Sequence, residues 1–176
     1  MAEPHCRCES LAARGLVEIV ATDDAVESIG KMLGLVLHNR PTVSVTGNGY
    51  RADWLAPWRW LLHTRPGAEA ALVDRLQTRS TSGADGALLA VVVSDAWSGY
   101  RITGSRAADL IAEGCTLDLM RFTDDVELRC ARTVLARAPV LLATAEDRKG
   151  LEVWVDSAYS CYLGDWLAGA AARVSF

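Results

Sequence analysis

The chain has no long apolar run. Its longest uninterrupted stretch, "ALLAVVV" at 87–93, is the length of a buried strand and far too short to cross a bilayer. It has no excess of positive charge either. A net charge of −4 and a pI near 5.4 offer phosphate backbones no overall attraction, which removes nucleic acid from the expected partners. Histidine is scarce: His5, His38 and His63 lie far apart, none in a zinc-protease or triad context, and are expected to be surface or structural residues. Gly47, Gly49, Gly83 and Gly86 do not form a phosphate-cradling loop ahead of a helix, so a P-loop or Rossmann unit is not supported. Glu3, Arg7, Glu9 and Arg14 leave no apolar run for a signal peptide, and a soluble, cytoplasmic protein is expected. The five cysteines are odd in number and scattered, which suits a reducing compartment rather than a disulfide framework.

What is present is an ordinary globular mixture, 51% hydrophobic and 23% charged in 176 residues, enough for one domain or two small halves. "GLVEIVATD" (15–23) reads as a strand. The segment 23–37 follows as a helix, with Asp24 as cap, Glu27 completing a capping box, and Val26, Ile29, Leu33 and Leu37 on one stripe. A strand at 41–46, the turn pair Asn48-Gly49 and "YRADWL" form a hairpin, and "WRWLLHT" (58–64) adds a further strand. Pro66 suits the first turn of a helix reaching about Thr78. A polar loop at 79–86 then leads to "ALLAVVVSD", "SGYRIT" and a helix stopping at Gly114. Strands "ELRCARTVLA" and "PVLLATA" meet near Pro139, "LEVWVD" (151–156) follows, and Ser157 caps a last helix striped by Tyr159, Tyr162, Leu163, Trp166, Leu167 and Ala170. The order is βαβββα then ββαβββα: an α+β domain over 1–176 with mixed or antiparallel sheets and packed helices. It has two similar halves at about 15–80 and 87–172, and residues 1–14 form a frayed terminus.

Three groups of residues could carry chemistry. "HCRC" places His5, Cys6 and Cys8 within four residues, but without a second ligand pair downstream the expected state is exposed thiols and no metal. Cys130 lies between Arg129 and Arg132, whose charge would favour a thiolate, yet local spacing supplies no histidine base, so a half-buried strand cysteine is expected. Asp118 follows the helix that stops at Gly114 and is either a catalytic carboxylate or a turn and cap residue.

The stretches "YRITGSRAADLIAEGCTLDL", "RCARTVLARAPVLL" and "VDSAYSCYLGDWLAGAA" resemble the gamma subunit of heterotetrameric sarcosine oxidase, and "WLAPWRWLL" resembles that family's tryptophan-bearing strand. The family belongs to the folate-binding aminomethyltransferase (glycine-cleavage T-protein) fold group. The resemblance implies a T-protein-like fold. It also implies a non-catalytic accessory subunit of an oxidoreductase complex, beside larger alpha- and beta-type flavoprotein subunits. Those partners would carry FAD or FMN, oxidise sarcosine or another N-methyl amino acid, and pass the one-carbon unit to tetrahydrofolate. No cofactor is expected on this chain. Asp118 occupies the post-helix position of the T-protein aspartate, but Leu117 replaces the asparagine usually beside it, and the cap reading is preferred. The alternative is a minimal folate-binding aminomethyl- or methyltransferase using Asp118. The iron–sulfur maintenance proteins of the same fold group carry a lysine–cysteine–glycine signature, of which "RCART" keeps only Cys130.

Six tryptophans in 176 residues could form a stacking platform, though filling a core or a subunit interface is the expected role. Trp58 and Trp60 continue into apolar Leu62 and are assigned to the core. Trp154 lies between Glu152 and Asp156 and, by strand alternation, is assigned to a partner subunit; Arg129 is the arginine candidate for the same role.

Overall fold

In the computed structural model, residues 5–81, 86–123 and 127–174 are described, and part of the expected loop at 79–86 lies outside them. The chain divides into two compact units: Ala13–Ser94 form one, and the residues before Ala13 join those from Asp95 onward in the other. The expected division near residue 80 is therefore corrected. The strand expected to open the second half belongs to the first unit, and the N-terminal segment belongs to the second.

The unit Ala13–Ser94 contains β2 (Gly15–Ala21), β3 (Ser44–Gly47), β4 (Tyr50–Ala56), β5 (Arg59–Thr64) and β6 (Leu88–Val92), in the antiparallel order β3-β4-β5-β2-β6. Alternation along these strands sends Val17, Ile19, Ala21, Ala52, Trp60, Leu62 and Ala90 to one face. There they pack with Ala25, Ile29 and Leu33 of α1 (Asp23–Leu33) and Leu72 and Leu76 of α2 (Glu69–Thr81). Helix α1 ends four residues before expected because Gly34 takes φ 67°, the left-handed C-cap conformation that glycine adopts without Cβ strain. Thr22, rather than Asp24, occupies its N-cap position. Its hydroxyl accepts a hydrogen bond from Ala87 N–H, while Asp23 and Asp24 favour the positive end of the helix dipole.

The other unit contains β1 (Arg7–Ser10), β7 (Trp97–Thr103), β8 (Cys130–Leu135), β9 (Ala138–Thr144) and β10 (Leu151–Asp156), in the order β1-β7-β10-β9-β8. Helices α3 (Ala107–Ala112), α4 (Leu119–Thr123) and α5 (Ser160–Val174) supply Leu110, Ile111, Phe122, Leu163, Leu167 and Ala170 to one core with Ile102, Val140, Leu142, Val153 and Val155. The expected frayed terminus is corrected by β1, which pairs Arg7 with Thr103 through Ser10 with Tyr100. The turn between β8 and β9 falls at Ala136 and Arg137, both with positive φ, rather than at Pro139. Asp156, not Ser157, caps the turn leading into α5, accepting from Ala158 N–H at 2.8 Å.

The second face of this sheet is also buried at its centre, and this overturns the assignment of Trp154 to a partner. Trp154 is 2% exposed, Glu152 beside it is fully buried, and Leu141 and Ala143 on the neighbouring strand are fully buried too. Trp154 pairs across strands with Gly99, and its ring fills the space a Cβ there would need, approaching to 2.8 Å. Alternation told which side Trp154 takes, but not that this side is dry. Trp154→Ala is expected to cost the isolated chain about 3–5 kcal/mol, the usual range for removing a buried tryptophan. Equilibrium urea unfolding measures this, and an unchanged midpoint would contradict the burial.

Candidate functional site

Asp118 stands just before α4. It is exposed, and its backbone carbonyl accepts the first helical bond from Phe122 N–H at 3.1 Å, which is the position of a cap residue. The preceding helix, α3, ends at Ala112, and Gly114 just beyond it makes room for Trp166 of α5, whose ring lies 2.7 Å from where a Cβ would project. A pocket of about 320 Å³ does open in the same unit, but it is lined by Gly104, Ser105, Ala107, Glu127, Thr144 and Arg148 among others, and Asp118 is not one of them.

The cysteine candidates are not gathered into a reactive site. Cys6 and Cys8 share the core-facing side of the N-terminal segment, whereas His5 is exposed, so the three residues of "HCRC" do not converge. The expectation of exposed thiols is corrected. Burial pushes the Cys6 thiol up and that of Cys8 up to about 11, opposite to what a metal ligand or nucleophile requires. Cys130 is fully buried rather than half-buried, in β8 opposite Ala143. Arg129 is half-buried and fixed by its backbone, its N–H donating to Thr144 Oγ1 at 2.8 Å and its carbonyl accepting from Thr144 N–H at 2.8 Å. Among the described residues, no group of three or more His, Cys, Asp or Glu is placed to hold a metal ion.

The most organised polar group was not anticipated. Ser44, Arg51, Asp53 and His63, all buried, meet on the face of the first sheet opposite its helices. Asp53 accepts from Arg51 Nε at 2.8 Å, from the Ser44 hydroxyl, and is joined to His63 Nε2 at 2.9 Å. The hairpin at Asn48-Gly49 sets this register: it places Ser44 opposite Asp53, while β5 places His63 opposite Arg51. Counting back from that turn in the sequence would have found the Ser44–Asp53 pair. Desolvation opposes ionisation of Asp53. The Arg51 guanidinium and the hydrogen bonds from His63 and Ser44 outweigh it, and hold the carboxyl well below the usual range. A nucleophilic triad needs the serine proton directed at the imidazole, whereas Ser44 directs it at Asp53. The network is a structural element.

The tryptophans divide differently from expectation. Trp60 is buried and donates Nε1–H to the His38 carbonyl at 3.2 Å; Trp54 donates to Asn39 Oδ1 at 3.3 Å. Trp58, assigned to the core, is instead 37% exposed, because it sits in the β4–β5 turn and not in the strand.

This two-unit antiparallel α+β architecture is the aminomethyltransferase-like fold. The chain superposes on the glycine cleavage system aminomethyltransferase T from Bartonella henselae with a TM-score of 0.68 at 15% identity, covering 94% of this chain and 46% of that one. It superposes with a TM-score of 0.83 on a chain of the heterotetrameric sarcosine oxidase from Corynebacterium sp. U-96, solved in complex with pyrrole 2-carboxylate, at 23% identity over 99% of this chain and 88% of that one. No curated protein sequence matches it. The sequence profile of the sarcosine oxidase, gamma subunit family matches residues 19–173, and the chain belongs to that family.

Removing the Asp53 charge takes away the carboxylate to which Arg51, His63 and Ser44 bond in a buried site, so Asp53→Asn is expected to destabilise the fold by about 3–5 kcal/mol at neutral pH. The folded-state carboxyl is held below its unfolded value of about 3.9. Its contribution is therefore complete at neutral pH and is lost as pH falls below about 5. Unfolding free energies measured from pH 7 to pH 3 should fall more steeply for the native chain than for Asp53→Asn. Parallel slopes would contradict the network's role.

Proposed function

We propose that the chain is the gamma-type accessory subunit of a heteromeric flavin-dependent oxidase or dehydrogenase acting on sarcosine or a related N-methyl amino acid. The observation that carries this reading is the family match over residues 19–173, joined to a fold shared with a chain of a heterotetrameric sarcosine oxidase. Larger alpha- and beta-type subunits would hold the flavin, which supplies the two-electron oxidation of the amine. They would also deliver the one-carbon unit to tetrahydrofolate. This chain's contribution would be to complete and stabilise the assembly, with Arg129 as one candidate contact.

The position of Asp118 supports assigning the chemistry elsewhere. A pterin-sized ligand needs walls on most sides. An exposed carboxylate at the start of a five-residue helix, outside the lining of the pocket in its own unit, does not supply them. No folate step runs through Asp118 in this reading.

Two measurements test the proposal. The chain, tagged and recovered gently from its native source, is expected to bring with it proteins with a flavin absorption band and N-methyl amine-oxidising activity. Asp118→Asn is expected to leave that activity within about twofold of the native complex, as for a surface substitution. Separately, the isolated chain is expected to give no calorimetric signal with tetrahydrofolate. Saturable binding that disappears in Asp118→Asn would instead make the chain a minimal folate-dependent transferase.

A further inference from the structure

The two asparagines of the chain, Asn39 and Asn48, are both exposed but stand in different chemical situations. Asn39 precedes Arg40, and its Oδ1 accepts from Trp58 N–H at 3.0 Å and from Trp54 Nε1–H at 3.3 Å. Asn48 precedes Gly49 at the tip of the β3–β4 hairpin, where the two residues have φ of 51° and 80°, the positive pair of a type I′ turn. Among the described residues its carboxamide makes one long bond, from Nδ2 to the Leu33 carbonyl at 3.4 Å. Gly49 has no Cβ, and nothing lies within 4 Å of the place one would occupy.

A backbone nitrogen can close a ring on the carboxamide of the residue before it. The Gly49 nitrogen would attack Asn48 Cγ: an N–C bond forms, the Cγ–Nδ2 bond breaks, and the leaving amide carries the nitrogen's proton away as ammonia. Water then opens the cyclic imide at either carbonyl. One opening gives aspartate, and the other gives isoaspartate, with the main chain routed through Cβ and Cγ. A side chain on the attacking residue hinders the closure, and glycine carries none. The bond to Leu33 holds the carboxamide toward α1, so the reaction draws on openings of the hairpin tip. Exposed turns open at low free energy, and a 3.4 Å bond is a weak restraint.

The same carboxamide joins the hairpin to the helix. Leu33 is the last residue of α1, and its carbonyl is one of the acceptors that a helix C-terminus leaves open. At Gly34, the next residue, a Cβ would overlap the Asn48 carboxamide. We propose that Asn48 is a site of spontaneous covalent modification, converted through an imide with Gly49 to aspartate or isoaspartate, and that conversion releases the β3–β4 hairpin from the end of α1. Aspartate sets acceptor against acceptor at the negative end of the helix dipole. Isoaspartate also lengthens the main chain within a two-residue turn, and so disturbs the register that places Ser44 opposite Asp53.

Peptide mass spectrometry of the full chain, held folded at mildly alkaline pH, tests the site. Asn48 is expected to gain the mass of an amide-to-acid exchange and to divide into aspartate and isoaspartate forms. Asn39 should convert at least ~10-fold more slowly, because Arg40 carries the Cβ that Gly49 lacks. Two variants test the consequence. Asn48→Gly suits the turn and removes the reacting carboxamide, whereas Asn48→Asp supplies the product. At neutral pH, Asn48→Asp is expected to melt below both the native chain and Asn48→Gly. Conversion of Asn48 only after unfolding in denaturant, or equal rates at Asn39 and Asn48, would overturn the assignment of the site. Equal melting of the two variants would overturn the release of the hairpin from α1.

Discussion

A sheet buried on both faces gives a charged side chain no route to water, and both sheets of this protein impose that condition at their centres. Arg51 and Asp53 are essentially inaccessible in one sheet, and Glu152 in the other. A lone buried charge costs several kcal/mol, so such groups persist only when paired and hydrogen-bonded. The cluster of Ser44, Arg51, Asp53 and His63 meets that demand by joining three donors to one carboxylate. Because its members come from three adjacent strands, the cluster ties the Asn48-Gly49 hairpin to β5 in one register. A slip of one residue would put Arg51 and Asp53 on the helix side, among Val17, Ile19 and Leu62.

The same condition explains what could and could not be read from the sequence. Periodicity located the strands and helices, because alternation and the 3.6-residue stripe depend on local order alone. Asn48-Gly49 fixed a hairpin because its turn demands residues that tolerate positive φ. Glu152 and Asp156 made the face of Trp154 look wet, and only the packed structure reveals that Glu152 is buried. Trp58 was misplaced for a related reason. Pro57 signals a turn after Ala56, but with no glycine or asparagine at position 58 nothing marks Trp58 as its positive-φ residue, so Trp58 is counted into the strand and given the facing of Trp60. The placement of β1 and β6 also escaped, since each pairs with a strand far away in sequence, β1 with β7 and β6 with β2.

The candidate site was legible mainly as a departure from a pattern. The resemblance implies an asparagine where Leu117 stands, and Asp118 lies exposed at a helix cap. The polar investment of the chain lies in the buried Asp53 network, which holds the sheet together. Its apolar investment at the surface lies around Trp58 and β6. An aminomethyltransferase-like scaffold with its polar order in the interior and exposed apolar groups at its surface fits the proposed role of a subunit assembled with other chains.

Native mass spectrometry of material recovered through this chain tests that central claim most directly. A discrete assembly is expected, its mass including larger, flavin-bearing polypeptides in fixed ratio to this one, with little of the chain found alone. A species containing only this chain, whether monomer or homo-oligomer, under conditions that keep flavoprotein complexes intact would contradict it.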